Sequence, residues 1–305
     1  MTHAFRFGVN NTGETSLRAW QEYARKAEDI GYSTLIMQDH FGKQLAPLPA
    51  LAAAAAVTSR IRLTTMVLDN DFRHPAVVAK EAATVDLLSD GRLEFGLGAG
   101  WLEADYDKIG QTFDAPGERM ARFMEAICII KAFFTEEKAV SFKGKHYQIE
   151  DLDAWPRPVQ QPHPPILIGG RQKRMLSFAA READIVSISM LDRRGPAEPK
   201  PPAFAEKVAW VRKAAGSRFA QLEIHTNSGG LRVTDDQKGA IAQAAERMKV
   251  PPQEVLETPA NLIGSVDAIV EQIEAWRETC NLSYFVVPGA KMLEMAPIVA
   301  RLAGT

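Results

Sequence analysis

The 305-residue chain is 46% hydrophobic and 24% charged, with a formal net charge of −2, as expected of a globular domain large enough to bury a core without disulfides or metal. Acids and bases are interspersed along it, which argues against nucleic acid or an anionic membrane as the main partner. Its most apolar run, residues 48–57 (LPALAAAAAV), is far too short to span a bilayer.

In chain order, MTHAFRFGVNN enters a strand-like alternation almost at once, so no secretory signal is expected. The first helix follows, with Trp20, Tyr23, Ala24, Ala27 and Ile30 on one face, Ser16 placed as N-cap and Gly31 as its end. Strand candidates occupy residues 5–10, 34–38, 62–68, 92–98, 166–169, 185–189, 222–228 and 284–287, with amphipathic helices between them. Near the far end, Ser265 is placed to cap a helix with Val266, Ile269, Val270, Ile273 and Trp276 on its apolar stripe.

Eight strands alternating with helices predict parallel pairing through right-handed crossovers. The expected fold class is α/β, a (β/α)8 TIM barrel forming one domain over residues 1–305. Two connections are too long for a bare barrel, so insertions are expected after strands 4 and 6. The first holds a long helix over 120–134 and a hairpin, VSFKGKHYQIE, turning near Gly144. The second, residues 190–203 (MLDRRGPAEPKPPA), is proline-rich and charged and reads as a surface loop. Cys128 and Cys280 share no short spacing and fall in helix-like segments, which predicts reduced thiols and a cytoplasmic protein.

Chemistry on such a barrel gathers at the C-terminal ends of its strands. Those ends are Asn10-Asn11, Gln38-Asp39-His40, the run Met66-Val67-Leu68-Asp69-Asn70, Gly98-Ala99-Gly100-Trp101, and Gly169-Gly170. The glycines of RLEFGLGAGW fail as a dinucleotide fingerprint: G-x-G-x-x-G read from Gly96 finds Trp101 at its last position, and from Gly98 it finds Glu103. One glycine would satisfy a tight turn, whereas three predict a backbone shelf kept clear for a large flat cofactor. In ILIGGRQKR, Gly169 and Gly170 precede a helix starting near Lys173, with Arg171, Lys173 and Arg174 adding positive charge. This is the pattern of a phosphate site. Asp39-His40 is an acid–base candidate, since a carboxylate beside an imidazole can fix its tautomer. On an extended strand, though, neighbouring residues face opposite ways. The remaining histidines form no HxH or HxxxH pair, so no metal site is expected.

In this order and spacing, the chain resembles the bacterial luciferase-like superfamily, closest to its coenzyme F420-dependent oxidoreductase branch. The residues that carry the resemblance are Gln38-Asp39-His40, Asp71-Phe72-Arg73-His74-Pro75, residues 88–94 (LSDGRLE), the Gly96–Trp101 loop, residues 164–170 (PPILIGG) and residues 262–265 (LIGS). The resemblance implies an 8-hydroxy-5-deazaflavin ring in the barrel mouth and a non-prolyl cis peptide at Met66–Val67. It implies a ribityl chain along Gly98–Trp101 and a phosphate at Gly169, Gly170 and Arg171. Asp39 and His40 match positions that contact the ring or assist proton transfer, and Asn10 and Asp69 join the cofactor set as strand-end residues. Sugar-phosphate dehydrogenases of this family carry glutamate where this chain has Trp101, which puts that substrate in doubt. The expected activity is hydride transfer between the deazaflavin C5 and a small organic substrate. An FMN-dependent two-component monooxygenase and a non-catalytic flavin-binding protein stand as alternatives. A homodimer, and a separate flavin or F420 reductase, are the partners the resemblance implies.

Overall fold

The computed structural model describes residues 3–14, 16–136, 138–190 and 202–305. Eight parallel strands form the expected (β/α)8 barrel: Arg6–Asn10, Thr34–Met37, Arg62–Thr65, Leu93–Gly98, Ile166–Gly170, Ile185–Ile188, Glu223–Asn227 and Leu282–Val287. Pairing of the third strand with the fourth closes the ring, with Leu63 opposite Leu93 and Thr64 opposite Glu94. Each strand falls on a sequence-predicted one. The third is shorter than expected: it breaks at Met66–Val67, where the peptide is cis as the resemblance implies, and resumes at Leu68–Asp69.

Chain contacts divide the molecule into two compact units. One comprises Met1–Thr12, Lys26–Thr34 and Gly169–Thr305, the other Gly13–Arg25 and Leu35–Ile168. In the first, Phe5, Phe7 and Phe285 pack with ring centroids 6.2–6.4 Å apart. Burying each such side chain contributes ~1.5–3 kcal/mol. Near the strand starts, Arg6 bonds Glu223 at 2.6 Å and Thr34 Oγ1 at 3.0 Å. In the second, Phe95 meets Phe134 edge to face at 6.0 Å, and Arg62 pairs with Glu94, whose other oxygen accepts from Thr64 at 3.0 Å. Buried ions are sustained only by such partners.

Local signals behave as read. Ala19 N donates to Ser16 Oγ, Gly31 ends the helix at φ +98°, and Ala268 N donates to Ser265 Oγ. The insertion after the fourth strand carries helices Glu103–Ile109 and Pro116–Thr135 and the hairpin Val140–Lys143/Gln148–Leu152. The expected loop over 190–203 falls largely on residues 191–201, outside the described residues. A short parallel pair, Arg232–Val233 with Ile263–Gly264, has no counterpart in the sequence reading. Its strands are two residues each, too short for a period to show. Among the described residues no helix is long and apolar enough to cross a membrane.

Candidate active site

Strand two ends at Met37, and residues 38–40 leave the sheet. There Asp39 and His40 turn to different partners. Asp39 is buried; Arg73 grips it from two nitrogens at 2.6 and 3.0 Å, and the Asp69 backbone N–H donates to it at 3.0 Å. The carboxylate beside the His40 ring is therefore not Asp39 but Asp105, whose Oδ2 lies 2.7 Å from His40 Nδ1. Trp101 meets His40 edge to face, with centroids 5.4 Å apart, and is 44% exposed.

The resumed third strand pairs Leu68 with Leu97 and Asp69 with Gly98. Asp69 then caps a single turn, accepting from Asp71 N at 3.0 Å, and takes a further bond from the Tyr106 hydroxyl at 3.0 Å. Burial pushes the Asp69 carboxyl up to about 7, against those two bonds and with the charges of Asp71 and Asp39 adding to the rise. Asp71 is forked by Arg122 at 2.7 Å on each oxygen, and the Tyr106 hydroxyl lies 3.0 Å from it as well. Burial first, then those two carboxylates, pushes the Tyr106 phenol far up, so it remains a neutral donor.

The protein itself requires two glycines, one in the fourth strand and one just beyond it. At Gly96 a Cβ would overlap the Thr65 carbonyl. At Gly100, with φ +74°, it would overlap the Tyr106 hydroxyl and sit 2.7 Å from Asp69 Oδ2. These two are required by close backbone approach and, at Gly100, by a left-handed conformation. Gly98 ends the strand buried, and Ala99 and Gly100 are half-buried beyond it.

His40, Asp39, Met66, Val67, Asp69, Gly98, Ala99, Gly100 and Trp101 thus all belong to one unit. Asn10, Gly169, Gly170 and Arg171 belong to the other. There, a side chain at Gly170 would overlap Met175, and the Gly170 carbonyl accepts from Ser189 N. The helix Lys173–Glu182 begins with no side-chain cap and no acid in its first turn, while Arg171, Lys173 and Arg174 are exposed. Uncapped amides beside cations suit an anion, and this donor set fits a phosphate. Among the described residues no group of His, Cys, Asp and Glu is arranged to hold a metal ion.

Asp105, Lys108 and Arg122 escape the sequence reading. Only the i, i+3 spacing of Asp105 and Lys108 marks the first two, and that spacing occurs on many solvated helix faces.

The model of the luciferase-like monooxygenase family matches residues 1–216. An F420-dependent glucose-6-phosphate dehydrogenase of Beutenbergia cavernae is 33% identical over 247 residues, 73% of this chain and 72% of that one. An FMNH2-dependent dimethylsulfone monooxygenase of Pseudomonas putida is 31% identical over 132 residues, 43% of this chain and 36% of that one. The chain spans about half the length of the first curated relatives it matches, 50% of each. Among solved structures, the coenzyme F420-dependent tetrahydromethanopterin reductase of Methanopyrus kandleri superposes with a TM-score of 0.78 over 99% of both chains. At 19% identity that likeness speaks for the fold alone.

Proposed function

Because the chain belongs to the luciferase-like monooxygenase family, we propose that it is an oxidoreductase using coenzyme F420, acting on a small organic substrate. The observation that carries this reading is the match to an F420-dependent dehydrogenase over about three quarters of both chains, 73% and 72%. The match to the FMNH2-dependent monooxygenase covers far less, 43% and 36%.

A bound reduced deazaflavin supplies a hydride at C5. Hydride addition to a C=O, C=N or activated C=C bond leaves an anion that must take one proton, and His40 delivers it. In the reverse direction, oxidation of an alcohol, His40 takes the hydroxyl proton, and the oxidised deazaflavin, when bound, would accept the hydride. Asp39 serves this chemistry by fixing the chain that carries His40, through Arg73 and the Asp69 amide. The ring and ribityl contacts are assigned to Met66, Val67, Asp69 and Gly98 to Trp101. Phosphate recognition is assigned to Gly169, Gly170 and Arg171, where the uncapped helix start supports it. Trp101, standing where the sugar-phosphate dehydrogenases of the family carry glutamate, supports a substrate other than a sugar phosphate. A single catalytic domain over 1–305, a cytoplasmic homodimer and a separate reductase complete this reading.

The FMNH2-dependent relative supports a second reading, an FMN-fed monooxygenase. Titrating the protein with each cofactor separates the two. Saturable F420 binding with FMN at least tenfold weaker is expected; tight FMN binding with weak F420 binding overturns the proposal.

A further inference from the structure

His40 has its carboxylate partner on the short helix Glu103–Ile109, and that partner is itself held. Asp105 is 2% exposed at its side chain, with Oδ2 against His40 Nδ1 at 2.7 Å and Oδ1 accepting from Lys108 Nζ at 3.0 Å. Lys108 Nζ also donates to the carbonyl of Phe41, the residue after His40, at 3.1 Å. Burial pushes the Asp105 carboxyl up, but the hydrogen bonds and charges of Lys108 and His40 outweigh it and hold it below the usual range. Around neutral pH Asp105 is therefore an acceptor only, and the hydrogen on the shared axis belongs to His40 Nδ1. Asp39, the carboxylate adjacent to His40 in sequence, is paired with Arg73 instead.

We propose that Asp105, itself held by Lys108, is a positioning residue that fixes the Nδ1–H tautomer of His40 and so leaves Nε2 as the nitrogen that exchanges the proton with substrate. Trp101 packs against the imidazole in a T-shaped contact, with ring centroids 5.4 Å apart. This inference rests on the proton-transfer role given to His40 above, but its first test does not.

Nitrogen-15 spectra of histidine-labelled protein at a pH where the ring is neutral report the tautomer directly, with His40 identified by the signals lost in His40→Ala. Wild type is expected to show Nδ1–H. Asp105→Asn is expected to invert it. Lys108 can only donate, so the amide oxygen faces Lys108 and the amide NH2 faces Nδ1, which must then be bare. In Asp105→Asn/Lys108→Met the amide is free to turn over, and Nδ1–H is expected to return. A merely structural role predicts neither the inversion nor its reversal. An Nε2–H tautomer in wild type, or an unchanged tautomer in Asp105→Asn, overturns the proposal; if Asp105→Asn does not fold, the wild-type spectrum still decides it.

The second readout is kinetic. Asp105→Asn is expected to slow hydride transfer on the order of 10²-fold, with KM little changed and partial recovery in the double variant. Unchanged hydride transfer in His40→Ala overturns the proton-transfer reading and leaves the tautomer result standing. A rate loss in His40→Ala without any tautomer change in Asp105→Asn overturns the Asp105 assignment alone.

Discussion

The Tyr106 hydroxyl lies 3.0 Å from an oxygen of Asp69 and 3.0 Å from one of Asp71, yet it has a single hydrogen to give. Arg122 already forks Asp71, so the missing proton is best placed on Asp69, whose carboxyl burial pushes up to about 7. In the unfolded chain that carboxyl titrates near its ordinary value of 3.8. Between those two values the folded state holds more protons than the unfolded one, so this group makes stability fall as pH rises through that window. Asp69→Asn is expected to flatten the pH dependence of the urea midpoint between about pH 4 and pH 7; an unaltered slope there would count against a proton on Asp69. Gly100 backs the same cluster. Gly100→Ala is expected to cost on the order of 1–3 kcal/mol through strain and displacement of the Tyr106 hydroxyl, read by chemical denaturation.

Helix Pro116–Thr135 is held by two ion pairs of unequal worth, one to the turn after the resumed third strand and one to the hairpin near Gly144. Arg122 meets Asp71, whose side chain is fully buried, while Lys145 and Glu118 pair in solvent. Arg122→Leu strands a buried carboxylate and is expected to cost ~3–5 kcal/mol in urea unfolding. Lys145→Ala is expected to leave the midpoint where it is. The segments that make the chain readable at this scale work as frame. Arg92 reaches the carbonyls of Ala55, Thr58, Ile61 and Ser89. His74 accepts from Ala76 N ahead of Pro75 at the first turn of its helix, and Arg73 holds Asp39.

For the molecule as a whole, the barrel is legible in sequence because strand and helix periods alternate cleanly and glycine or serine marks the helix ends, as at Ser16, Gly31 and Ser265. The hairpin around Gly144 and the helix before it are legible for the same reason. The wiring of the candidate site is less so. Asp39-His40 reads as a pair because the two are adjacent, but Asp39 is taken by Arg73, and His40 finds Asp105 by tertiary approach alone. Charge follows a similar rule: the net value of −2 says nothing of the exposed Arg171, Lys173 and Arg174 around an uncapped helix start. Changing those three to glutamine is expected to weaken phosphate-bearing cofactor at least tenfold at low ionic strength. It should also abolish most of the salt dependence of its binding; equal affinity and equal salt slope would move the phosphate elsewhere.

Trp101 stands partly in solvent with its ring in T-shaped contact with His40, which makes it an optical gauge as well as a wall. A ligand that covers the indole dries it, shifting its emission to the blue, while the other four tryptophans supply a steady background that Trp101→Phe would isolate. Substrates can then be screened by light in the absence of turnover, and by a residue that already sits against the proposed proton carrier.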